Sequence, residues 1–195
     1  MADESGDAAQ VIELEAPLTD ADVERLEPGQ RVRINGVIYG ARDSAHRKMV
    51  EALDAGEALP VELEGQMVYY VGPAPAPPGH AIGSAGPTTS GRMDAYTPRL
   101  LEQGLKAMIG KGSRSAEVRQ AMQRHKAVYL AVVGGAAALI SQSIEAAEVV
   151  AYDELGPEAL RRFTVKALPA VVINDVHGGD LYEQGRARYG KGSEA

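Results

Sequence analysis

Two stretches, Ala127 to Val133 and Pro169 to Ile173, are apolar without interruption, and they constrain the fold most. A strand with one wet face alternates polar and apolar residues, so an unbroken apolar strand has to be covered on both faces. Between the two, the spacing predicts a helix at Ala136 to Ala147, a short strand at Glu148 to Tyr152 and a helix at Pro157 to Phe163. Upstream, Tyr96 to Ile109 and Ser115 to His125 also read as helices. Continuous apolar strands separated by helices predict an α/β architecture with a parallel sheet covered by helical layers.

The first half has a different texture. Val11 to Leu14 reads as a strand, and Leu18 to Leu26 as a short helix capped by Thr19 or Asp20 and ended before Pro28. Arg31 to Tyr39 alternates polar and apolar residues around Asn35-Gly36, a strong hairpin signal, and Val61 to Val71 reads as a second hairpin. Asp43 to Ala55 lies between them with a helical pattern that sets Met49, Val50 and Leu53 on one side. Hairpins followed by βα units predict mixed sheets packed with helices. A chain of 195 residues with 45% hydrophobic content can bury one good core, and neither a repeat nor a linker divides it. We read 11–184 as a single domain, with a loosely ordered acidic extension at 1–10 and a flexible tail at 185–195.

Charge and composition exclude several functions. A net charge of −7 without runs of Lys or Arg does not make the basic face that nucleic-acid backbones require. The chain has no cysteine, which excludes a disulfide scaffold and any thiolate-held cluster within this chain. The longest apolar run, Ala127 to Ile140, contains Gly134-Gly135 and is too short for a bilayer, and no secretory signal opens the sequence. The expected address is the cytoplasm.

The chemistry concentrates in Ile82 to Asp94. Gly83 and Gly86 permit close backbone approach, Thr88, Thr89 and Ser90 supply hydroxyls, and Arg92 supplies a planar fork suited to carboxylate or phosphate. This is the composition of an anion-binding loop, reached through the stiff proline-rich spacer Pro73 to Pro78. A second segment, Tyr39 to Lys48, puts Arg42 where a strand hands over to a helix, with Asp43 able to cap that helix and orient His46; taken alone, the segment is better explained as an ordinary capped helix with a solvated basic face. Other patterns fail. Gly104 to Gly112 has the wrong spacing for a phosphate-binding loop and glycine where that loop needs Ser or Thr. Gly134-Gly135 is a tight turn or a ligand contact, and Asn174 to Asp180 is an Asx-type turn or a carboxylate–histidine metal site.

Taken together, Asn-Gly-x-x-Tyr-x-x-Arg-Asp-x-Ala-His, Gly-Pro-Thr-Thr-Ser-x-Arg-Met-Asp, Ile-Gly-Lys-Gly, Tyr-Leu-Ala-Val-Val-Gly-Gly-Ala-Ala-Ala-Leu and Pro-Ala-Val-Val-Ile-Asn-Asp occur here in one order, from about Leu18 to Tyr182. In this the chain resembles the β subunit, or C-terminal domain, of class I iron-sulfur fumarases and L(+)-tartrate dehydratases. The resemblance implies a swivelling β/β/α domain of three layers with mixed parallel and antiparallel sheets. It implies a hydro-lyase interconverting fumarate and L-malate, or acting on L(+)-tartrate, at a [4Fe-4S] cluster. In the family the cluster belongs to the N-terminal domain or to a separate α subunit, so the resemblance implies a partner α subunit that holds it, an α2β2 assembly, and a chain that holds no metal itself and is inactive alone.

By the same resemblance, Arg42, Thr88, Thr89, Ser90, Gly91, Arg92 and Lys111 contact the four-carbon dicarboxylate. Thr88 matches the residue proposed as catalytic base; simple hydrogen bonding is the alternative, because a threonine hydroxyl needs adjacent cations to lose its proton. Asp43 and His46 read as supports for Arg42. A non-catalytic dicarboxylate-binding module is the competing interpretation from another class.

Overall fold

The computed structural model describes residues 11–132 and 137–189. The elements run β1 (Ile12–Ala16), α1 (Asp20–Glu24), β2 (Arg31–Gly40), α2 (Asp43–Asp54), β3 (Met67–Tyr69), α3 (Thr97–Leu101), β4 (Ala107–Gly110), α4 (Ala116–His125), β5 (Val128–Ala131), α5 (Ala137–Gln142), β6 (Ile144–Ala151), β7 (Leu160–Asn174) and α6 (Leu181–Tyr189). Short 3₁₀ turns lie at Ser90–Met93 and Asp153–Glu158. The extension at 1–10, the tail from 190 and Gly134-Gly135 lie outside the described residues, while 185–189 continue α6.

Strands β2, β3, β4 and β5 run parallel to their neighbours, and β7 pairs antiparallel with both β2 and β5. Those five strands therefore close into a barrel. β1 adds to β2 in parallel and β6 to β7 antiparallel, making one mixed sheet of seven strands. The architecture is α/β, as the sequence predicts.

The barrel accounts for the apolar runs. Met67, Tyr69, Ala107, Ile109, Val128 and Leu130 join one buried cluster, together with Phe163 and Leu168 of β7. The residues between them, Val68, Met108 and Tyr129, join a second cluster with Met49 of α2, Leu100 of α3 and Met122 of α4. Period-two alternation sends adjacent residues to opposite faces, and both faces are covered. Each fully buried large side chain contributes on the order of 1.5–3 kcal/mol.

Several expected elements are overturned. Arg31 to Tyr39 is not a hairpin but part of the continuous β2, in which Asn35-Gly36 coincides with a register shift against β7. Gly36 adopts φ +94°, Asn35 Oδ1 accepts from the Ala167 amide at 2.8 Å, and Asn35 Nδ2 donates to Glu13 at 3.0 Å. A left-handed glycine serves a bulge as well as a turn, and only distant strands decide which. The second expected hairpin reduces to β3, whose partners β2 and β4 are both parallel. The helix expected at Tyr96 to Ile109 ends at Leu101; Gly104 turns the chain at φ +86°, and the apolar 107–110 becomes β4 between β3 and β5. Likewise α5 stops at Gln142 and β6 begins at Ile144, and Phe163 lies in β7 because pairing with β2 and β6 prevails over local helical pattern.

Asp43 does not cap α2, which begins with it and has Arg42 at the N-cap without a side-chain capping bond, but two other helices are capped locally. Thr19 caps α1 in a capping box with Asp22, and Ser115 caps α4 by accepting from the Val118 amide. No helix among the described residues is long and apolar enough to cross a membrane.

Candidate active site

The segments singled out in the sequence meet at the carboxyl ends of the parallel strands. Arg42 follows β2, Lys111 follows β4, and 88–92 docks where β3 ends. Loops beyond the carboxyl ends of parallel strands are the usual ligand crevice of α/β sheets, because the switch in chain direction leaves a gap there.

The proline-rich segment is not a linear spacer. Ala74 N donates to Ser84 O at 2.9 Å, Gly83 N donates to Ala74 O at 3.2 Å, and Val71 bridges Pro87 antiparallel. The chain thus leaves β3, folds back on itself and returns. A Cβ on Gly83 would lie 2.4 Å from Pro75 O, so its close approach serves this fold-back.

On its return the chain is wedged between two strand ends. Thr88 N donates to Tyr70 O at 2.7 Å, Lys111 N donates to Thr88 O at 3.4 Å, and Ser90 N donates to Lys111 O at 2.9 Å. Thr89 bridges Lys111 in parallel, so 88–90 extends the sheet beyond β4. Thr89, Gly91, Arg92 and Lys111 are exposed and Thr88 is half-buried. Lys111 makes no ion pair among the described residues.

Ser90 lies elsewhere: it is wholly buried beneath the loop. Tyr129 OH donates to Gly112 O at 2.9 Å, so its 2.8 Å contact with Ser90 is one in which Ser90 Oγ donates. Gly110 makes room for this, since a Cβ there would lie 2.1 Å from Ser90 Oγ.

Arg42 occupies the N-cap position of α2, although its side chain makes no capping bond. Its guanidinium lies 3.4 Å from Glu158 Oε1 and 3.8 Å from Asp43 Oδ1. Glu158 Oε2 in turn accepts from the Ser44 amide at 3.3 Å, serving the N-terminus of α2 from a distant 3₁₀ turn. Asp43 also accepts from Arg92 at 2.7 Å, which brings the two arginines to one carboxylate.

His46 supports Arg42 through the backbone. Its Nδ1 lies 2.8 Å from Arg42 O, and a carbonyl can only accept, so Nδ1 carries the proton. The ring is fully buried edge-on to Tyr70, and Nε2 has no hydrogen-bond partner. Burial pulls its pKa down to about 4; the bond to Arg42 O and the Asp43 charge oppose this, while the Arg114 charge reinforces it. His46 is neutral at physiological pH.

Sequence reasoning missed Arg114, Glu158, Tyr70 and Tyr129 as parts of this site. The available signal was polar tips on otherwise apolar strands and an arginine just ahead of a serine-capped helix. At the other end of β7, Asp175 Oδ1 accepts from the His177 and Gly179 amides at 2.9 and 2.6 Å. Asp180 pairs with Arg119 at 2.8 Å. That segment is an Asx-type turn.

A family model described as "Fumarase C-terminus" matches residues 1–185. The chain belongs to this family. Among its relatives, the aerobic class I fumarate hydratase of Escherichia coli (strain K12) is 41% identical over 183 residues, covering 92% of this chain and 33% of that protein. Fumarate hydratase 2 of Leishmania major is 41% identical over 158 residues, covering 80% and 28%. The "Putative L(+)-tartrate dehydratase subunit beta" of Methanocaldococcus jannaschii is 38% identical over 173 residues, covering 86% of this chain and 89% of that subunit. The chain therefore spans about a third of the fumarate hydratases it matches and most of the tartrate dehydratase subunit.

Proposed function

We propose that this chain is the β subunit of an iron-sulfur-dependent hydro-lyase that interconverts fumarate and L-malate, and that it supplies the cationic, carboxylate-binding side of a shared site. The observation that supports this most is the convergence of Arg42 and Arg92 on Asp43, beside a Thr88–Thr89 segment laid along Lys111. A partner α subunit completes the site in an α2β2 assembly. The swivelling β/β/α description belongs to the same proposal, with the outer helices as one layer over the strands.

The chain itself does not fit a [4Fe-4S] cluster. It has no cysteine, and no group of three metal-binding side chains occurs among the described residues. The cluster is therefore assigned to the partner.

What these residues would do follows from the reaction. Reversible hydration removes a proton from the carbon next to a carboxylate, and the charge left behind spreads onto that carboxylate's oxygens. Cations at those oxygens lower the barrier. Arg42 and Arg92 each present a planar fork for one end of the dicarboxylate, and Lys111 adds a point charge. Held this way, the substrate keeps its reacting carbon near Thr88. Thr88 transfers the proton in this reading, with Lys111 and Arg92 stabilising its alkoxide. Thr89 and Gly91 border the substrate, while Ser90 holds the loop from beneath.

The L(+)-tartrate reading is favoured by one observation, the match along most of a tartrate dehydratase subunit. An anaerobic assay of the chain co-purified with its cluster-bearing partner, with fumarate, L-malate and L(+)-tartrate in parallel, decides between them. Arg92→Ala is expected to lower kcat/KM by about 10²–10³-fold. An intact, cluster-loaded complex that turns over none of the three would overturn the hydro-lyase reading.

A further inference from the structure

We propose that Arg114, a residue no resemblance assigned, positions the 88–92 loop against the Lys111 loop. The inference rests on reading those loops as the carboxylate-binding surface. Arg114 is 4% exposed, so it acts through neighbours and not on a ligand. Its Nε donates to Asp94 Oδ1 at 2.8 Å, one terminal nitrogen to Tyr70 OH at 3.0 Å and the other to Thr97 Oγ1 at 2.7 Å. The guanidinium carbon also lies 5.2 Å from the ring centroids of both Tyr70 and Tyr129.

Each partner belongs to a different piece of the site. Asp94 terminates the 3₁₀ turn that carries Arg92, and its second oxygen accepts from the Ser115 amide at 2.8 Å. One carboxylate thus joins the end of the first loop to the end of the second. Thr97 starts α3 and its hydroxyl donates to Met93 O at 2.9 Å. Tyr70 carries the carbonyl that receives the Thr88 amide. Tyr129, the second ring against the guanidinium, holds Gly112 and Ser90.

A buried ion pair is weak in net stability, because desolvation offsets most of its attraction. What it contributes is geometry: three donors in a fixed plane reach three elements at once. A lysine has the charge but not the fork.

The test compares Arg114→Lys with wild type by amide hydrogen exchange of the full chain, and by kinetics of the co-purified complex. The expected result is at least about tenfold faster exchange at Thr88, Ser90, Lys111 and Ser115, with β3, β4 and β5 amides unchanged. With it goes a fall of about a hundredfold in kcat/KM, carried more by kcat than by KM. Exchange accelerated evenly across the barrel, or loops and kinetics both like wild type, would overturn the proposal. Should Arg114→Lys not fold, Tyr70→Phe removes only the hydroxyl that accepts from Arg114 at 3.0 Å and is expected to speed exchange at Thr88, whose amide bonds the Tyr70 carbonyl; no change there also overturns it. If the wild-type complex has no hydro-lyase activity, the functional reading falls separately, and exchange still decides whether Arg114 orders the loops.

Discussion

Asp43 touches both site arginines, with Oδ2 accepting from Arg92 at 2.7 Å and Oδ1 lying 3.8 Å from Arg42 Nε. Both Asp43 Oδ1 and Arg42 Nε are buried without a hydrogen-bond partner, so one carboxylate stands between two forks and fully satisfies only one. Asp43→Asn keeps an acceptor for Arg92, whereas Asp43→Ala removes it. Steady-state kinetics should show Asp43→Ala losing about tenfold or more in kcat/KM and Asp43→Asn losing less. Chemical denaturation should place both within about 1 kcal/mol of wild type, because Arg92 is half exposed. Equal kinetic losses would mean that acceptor geometry is not what Asp43 supplies.

Gly72 backs the Arg42 side chain. A Cβ there would lie 2.7 Å from Arg42 Cδ and 2.8 Å from its Nη1. The far end of an arginine can yield, so Gly72→Ala should change stability by less than about 1 kcal/mol while displacing the guanidinium. KM for the dicarboxylate is expected to rise by about tenfold. An unchanged KM would separate Arg42 from substrate binding.

Gly110→Ala drives a methyl to 2.1 Å from Ser90 Oγ and 3.0 Å from Tyr70 Cδ2. Overpacking of this kind costs about 1–3 kcal/mol. Removing the hydroxyl relieves the closest clash, so the Gly110→Ala, Ser90→Ala double variant should be more stable than the sum of the single changes. Urea unfolding of the four proteins measures that coupling directly.

His46 carries a pH dependence whose sign is fixed by its burial. Its pKa of about 4 lies below the ordinary value of 6.5, so the unfolded chain takes up a proton first as pH falls. The contribution to stability is intact above pH 6.5 and is lost as pH falls towards 4, amounting to about 3 kcal/mol. His46→Asn keeps a donor for Arg42 O and does not titrate there. Its unfolding free energy should therefore fall less steeply than wild type across this window; parallel pH profiles would show that His46 titrates normally in the folded chain.

The candidate site was legible to different depths. Arg42, Thr88, Thr89, Arg92 and Lys111 stand out because their chemistry needs particular side chains in short, local patterns, and the structure gathers those segments at one end of the barrel. Ser90 carries the same signal as its neighbours, yet it points inward, because the 3₁₀ turn that begins with it aims its hydroxyl at Tyr129. Arg114 and Glu158 escaped notice because their partners are distant in the chain: Arg114 reaches Tyr70, and Glu158 reaches Ser44.

For this chain, the sequence by itself determined the elements whose stability is local. The caps of α1 and α4, the apolar side of α2 and the anion-binding composition of the 88–92 loop follow from residues a few positions apart. Only the tertiary structure decided that Asn35-Gly36 is a bulge, that 107–110 is a strand and that the sheet closes on itself through β7. Those outcomes depend on which strands lie alongside. A backbone group cannot choose between a turn and a ladder until its distant partner is in place.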